Sequence, residues 1–74
     1  MYNLNYRAIG QRIREYRLKS GLTQEELSER IGISPVHMSH IESGVAKYSL
    51  IVFVRLSIAI GASLDYLIFG DSPS

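Results

Sequence analysis

The sequence predicts an all-α domain of five short helices, and three observations carry that prediction. Apolar residues recur at helical rather than alternating spacing, Ser or Thr start signals recur along the chain, and a glycine stop answers each of them a few turns later. With 74 residues there is room for one domain, expected over residues 1–70, with Asp71-Ser72-Pro73-Ser74 as a disordered tail. Folding a chain of this size hides only about 60% of its unfolded surface, which argues against a large buried active site.

In the first helix Tyr6, Ile9, Ile13 and Tyr16 form one stripe, with Arg7, Arg12, Arg14 and Lys19 around it, and the charge run Arg12-Ile13-Arg14 is expected as a solvated face. Ser20-Gly21 ends it. Thr23-Gln24-Glu25-Glu26 then matches the capping box, in which Thr23 accepts from the Glu26 amide and Glu26 reaches back to the Thr23 amide. Leu22 and Leu27 stand at the positions of a hydrophobic staple, Leu27 and Ile31 face inward, and Gly32 stops this second helix. Only Gly32-Ile33 precedes the next start, where Ser34 caps and Pro35 sits at the first helical position, at which a missing N–H costs nothing. Met38 and Ile41 point inward and Gly44 ends the third helix.

A loop from Val45 to Tyr48 leads to Ser49, the cap of a fourth helix closed by Gly61. Its opening, Leu50 to Val54, also has strand propensity, but the serine cap and the eleven-residue length favour a helix. Leu50, Phe53 and Ile60 are expected to face the core. Ser63 caps a short fifth helix, with Leu64, Leu67 and, at the edge of the stripe, Ile68 inward before Gly70.

Composition narrows the function classes. Cysteine is absent, which removes disulfides, cysteine nucleophiles and cysteine metal sites. Two histidines with no orienting acid beside a nucleophile supply no catalytic constellation, so no enzyme is expected. His37 and His40 could share an ion at i, i+3 spacing, but no third ligand follows, and no metal, cofactor or small-molecule ligand is expected. Leu50 to Ile60 is too short for a membrane span and contains Arg55 and Ser57, and residues 1–12 lack an unbroken apolar core, so no signal peptide is expected there. A soluble cytoplasmic protein is the expectation. Eight Lys and Arg against seven Asp and Glu leave a net charge of +1, yet residues 1–20 hold five of the bases and one acid, whereas 21–44 hold one base and four acids.

Two short helices joined by a tight glycine turn, the second opening with Ser-Pro, describe a helix-turn-helix at helices 2 and 3. Outside the buried Met38 and Ile41, the third helix offers Val36, His40 and Ser43, flanked by His37 and Ser39. These groups are small or flat enough to enter a major groove: histidine can donate to or accept from base edges, and valine can meet a thymine methyl. No acid lies between Glu29 and Glu42 to repel phosphate, and the amides opening the second helix behind Gln24 suit an anion.

The run Gly21 to Leu27, Ile31-Gly32-Ile33-Ser34, Met38 to Gly44, Ser49-Leu50 and Ala59 to Leu67 resembles the Cro/repressor-type helix-turn-helix family, lambda-repressor-like or XRE regulators, over roughly residues 6–69. That resemblance implies a compact five-helix domain that binds double-stranded operator DNA as a homodimer and regulates transcription, in a bacterial or phage setting on the nucleoid. It places Ser34, Pro35, Val36, His37, Ser39 and His40 toward the bases, and Gln24, Ser43, Lys47 and Arg17 toward phosphates. It also pairs Arg17 with Glu42 as a structural ion pair. Family members often carry Arg, Gln or Asn where this chain has Val36, His37 and His40, which shifts weight from bidentate base contacts to DNA shape. A proline often stands at the position of Tyr48.

Ile51, Val52 and Ile58, beside Tyr66 or Phe69, are expected to stay exposed on the outer face of the fourth helix as the dimer interface. An antitoxin-like protein-interaction module using that same apolar face is the competing reading.

Overall fold

Each start signal becomes a cap. In a computed structural model, which describes residues 4–70, Thr23, Ser34, Ser49 and Ser63 each accept the amide three residues ahead at 3.0–3.2 Å. Asn5 does the same for Ala8 at 3.0 Å, a cap that the sequence reading did not anticipate. The helices that follow are α1 (Tyr6–Lys19), α2 (Gln24–Ile31), α3 (Pro35–Ser43), α4 (Leu50–Ile60) and α5 (Leu64–Phe69), and no strand occurs among the described residues. The tail expected over 71–74 lies outside them. No helix here is long and apolar enough to cross a membrane.

All five helices contribute to one core: Ile9 and Ile13, Leu27 and Ile31, Met38 and Ile41, Phe53, Leu56 and Ile60, and Leu67. Leu50 corrects the expectation for α4. It is 73% exposed, and Leu56 takes the inward place with full burial. An almost wholly apolar helix has no polar face to set its rotation, so its neighbours decide. Tyr48, which precedes the cap, lays its ring 5.9 Å from Phe53 and edge-on to Tyr6 at 5.6 Å, filling the end of the core that Leu50 would otherwise cover. The Tyr48 hydroxyl is buried without a partner and burial pushes its pKa up to about 12, so the side chain acts as an apolar wedge.

Arg12, expected on a solvated face, instead caps a helix end, and so does Arg55. Arg12 donates through Nη1 to the carbonyls of Leu67 and Ile68, both at 3.0 Å, and Arg55 donates to the Ile31 carbonyl at 3.3 Å. Cations there meet the unsatisfied carbonyls and the negative end of the helix dipole.

The capping box of α2 carries a pH signature. Glu26 accepts the Thr23 amide at 2.9 Å, and that backbone bond, helped by the Thr23 hydroxyl and the charge of Arg30, holds its carboxyl below the usual range. A carboxylate depressed in the folded state adds stability that is complete above its unfolded pKa and is lost as pH falls through the folded one. Urea midpoints followed from about pH 6 down to about pH 3 should therefore fall less steeply for Glu26→Gln than for the parent. Superimposable acid limbs would remove Glu26 as a contributor.

Candidate nucleic-acid interface

The turn between α2 and α3 is built from backbone. Gly32 takes a left-handed φ of 79°, which lets the amides of Gly32 and Ile33 both donate to the Ser28 carbonyl, at 2.9 and 3.0 Å. Ser34 then leaves in extended conformation and caps α3, with Pro35 as its first helical residue. α3 packs against α1 and α2 through the fully buried Met38 and Ile41. Its exposed positions are Ser34, Pro35, Val36, Ser39, His40 and Ser43, while His37 is half-buried. Ser34 spends its oxygen on the cap, and the Ser43 hydroxyl donates to the His40 carbonyl at 3.2 Å, so Val36, Ser39 and the His40 ring are the freest tips on this surface. Among the described residues no group of three potential ligands stands close enough to hold a metal around the histidines.

The one acid of α3 is turned inward. Glu42 is 5% exposed and Arg17 6%, and they form a fork: Arg17 Nε to Glu42 Oε2 at 2.6 Å, Nη2 to Oε1 at 3.2 Å. The remaining Arg17 nitrogen, Nη1, donates to the Leu22 carbonyl at 2.7 Å. Burial and these three bonds leave Arg17 little surface to offer the phosphate that the family resemblance assigned to it. The structural pair with Glu42 is present. Gln24, half-buried at the start of α2, donates through Nε2 to Glu42 Oε1 at 3.0 Å, a link that sequence reasoning missed. Lys47 is exposed in the loop after α3, next to Val45, which is also exposed and was not singled out from the sequence.

Turn, cap, recognition surface and flanking polar groups thus follow one another within a single stretch of chain. The helix-turn-helix family pattern matches residues 13–67, most of the chain. The chain belongs to the helix-turn-helix family. This helix-turn-helix domain is 45% identical over 49 residues to an uncharacterized HTH-type transcriptional regulator of Methanothermobacter thermautotrophicus, covering 66% of this chain and 71% of the other. A second such regulator, from Archaeoglobus fulgidus, is 36% identical over 61 residues, 81% of this chain and 87% of the relative. Among solved structures, the P22 c2 repressor protein in complex with synthetic operator 9T superposes with a TM-score of 0.80 at 35% identity, over 85% of this chain and 96% of that one. The resemblance to Cro/repressor-type regulators therefore holds in fold as well as in sequence.

The apolar face expected for self-association is only partly as anticipated. On the helix-turn-helix domain Ile51 and Ile58 are 64% and 76% exposed and share one side of α4. Val52 is half-buried against the core, because it follows the rotation set by Phe53 and Leu56. Tyr66 is half-buried with its ring 5.0 Å from that of Tyr16. Tyr66 and Phe69 border a depression along Gln11 and Glu15 of α1, whereas Ile58 borders another beside Arg30 and Arg55. The five residues therefore do not line a single depression.

Proposed function

We propose that this chain is a sequence-specific DNA-binding regulator of transcription, acting in the cytoplasm on the nucleoid, with α3 laid in the major groove of an inverted-repeat operator. One observation carries the reading: α3 exposes an acid-free surface of Val36, Ser39 and His40 between Gln24 and Lys47, and its single acid is buried against Arg17. A surface of that kind meets base edges without repelling the phosphates that flank them. Likeness to a repressor seen with its operator supports the docking, and the exposed Ile51 and Ile58 support a homodimer that places two copies of α3 on two half-sites. Binding, not catalysis, is the activity.

Selection of bound sequences from random duplex DNA tests the proposal, and recovery of an inverted repeat establishes both specificity and two-fold symmetry. Enrichment of no motif overturns it. Against the selected duplex, Lys47→Ala should weaken binding to every sequence alike and flatten the dependence of log affinity on log salt by about 0.9 for each phosphate no longer neutralised. His40→Ala should leave that slope unchanged and alter preference at one base pair per half-site, by about 1–3 kcal/mol. Uniform weakening by both variants would exclude direct readout by His40.

A further inference from the structure

Glu42 makes more bonds than its pairing with Arg17 needs. The Arg17 fork already occupies both carboxylate oxygens, and Oε1 takes a third donor, Gln24 Nε2, from the first residue of α2. Residues from three helices thereby meet on one carboxylate: Arg17 of α1, Gln24 of α2 and Glu42 of α3. The carboxylate itself cannot drift, since it is buried and Arg17 is tied at its far side to the Leu22 carbonyl.

A fixed carboxylate has a chemical consequence for its neutral neighbour. An amide group carries a donor end and an acceptor end that are nearly alike in shape, and a free glutamine presents either. Glu42 only accepts, so it selects the NH2 end of Gln24 and engages one of its two hydrogens. The second hydrogen stays available, and the side chain is ordered before any ligand arrives, so its rotamer entropy is not lost on binding. The charge of Arg17 matters here too, because an unpaired carboxylate this close to a phosphate would repel it.

We propose that Glu42 is a positioning residue for DNA binding: by holding Gln24 Nε2 it fixes the orientation in which the Gln24 carboxamide donates its remaining hydrogen to a backbone phosphate. This rests on the reading above that duplex DNA lies against α3. Arg17 serves the interface only through Glu42, in contrast to the direct phosphate role that the family resemblance implied.

The test uses two backgrounds that leave no unpaired buried charge. Arg17→Met with Glu42→Met removes the acceptor; Arg17→Met with Glu42→Gln keeps an uncharged one. In each, and in the parent, Gln24→Ala is added and affinity for a mixed-sequence duplex is measured across salt. The expected penalty of Gln24→Ala is about tenfold in the parent and in the Glu42→Gln background, and below about twofold where Glu42 is Met. The salt slope should not change, since a neutral amide displaces no counterion. Side-chain amide resonances of Gln24 in the DNA-free parent give an independent readout, and slowed solvent exchange of one NH2 hydrogen is expected. Equal penalties in all three backgrounds, or exchange as fast as at the exposed Gln11, overturn the role of Glu42 alone. A parent with no affinity for duplex DNA overturns the functional reading and this role with it.

Discussion

Glu42→Ala is expected to remove about 3–5 kcal/mol of folding stability, the cost of stranding a buried charge rather than the worth of one contact. Arg17 is 6% exposed, and two of its nitrogens donate to Glu42 at 2.6 and 3.2 Å. In the variant that guanidinium keeps only the Leu22 carbonyl. A domain of 74 residues holds about 4–11 kcal/mol in all, so the variant is expected to keep only a fraction of its stability and to unfold at a much lower urea concentration. The paired replacement Arg17→Met with Glu42→Met removes both charges, and it should recover most of the loss because the desolvation cost disappears with the attraction. Urea midpoints of the three proteins provide the check. A loss below about 1 kcal/mol for Glu42→Ala, the range of an exposed pair, would mean that the fork does not hold in solution.

What was legible in the sequence follows from the range of the interactions. Caps and staples act over three to five residues, so Thr23, Ser34, Ser49 and Ser63 announced their helices, and Gly32, Gly44, Gly61 and Gly70 their ends. The outward face of α3 was legible for the same reason, because Met38 and Ile41 fix the inward one. The rotation of α4 was not, since Leu50, Ile51, Val52 and Val54 are alike in polarity and only the packing of Tyr48 and Leu56 chooses among them. Side-chain bonds spanning long stretches of chain were equally hidden. Arg12 reaching the carbonyls at the end of α5 and Gln24 reaching Glu42 leave no periodic trace, and charge patterning alone read Arg12 as surface.

Gly10→Ala is expected to lower stability by about 2 kcal/mol net, despite replacing the second-worst helix former with the best. At an exposed helical site that exchange would gain about 1 kcal/mol. Here α1 crosses α3 so closely that a Cβ on Gly10 would stand 2.5 Å from the carbonyl oxygens of both Ile41 and Glu42. Those atoms are backbone and cannot swing aside as a side-chain tip would. The helices must part instead, and with two backbone oxygens this close the overpacking cost is expected near the upper end of the usual range, about 3 kcal/mol. Sterics therefore outweigh propensity, and the midpoint of thermal unfolding should fall by about 10 °C. Gly21→Ala separates the two causes: its φ of 74° is strained for alanine, but nothing stands within 4 Å of the added carbon, so only about 1–2 kcal/mol of backbone strain is expected. Parting α1 from α3 moves Glu42 relative to Arg17, so Gly10→Ala and Glu42→Ala together should cost less than the sum of their separate effects. An unchanged or raised midpoint for Gly10→Ala would show that the two helices yield without loss, and the spacing that brings Glu42 against Arg17 would then not depend on the missing side chain at position 10.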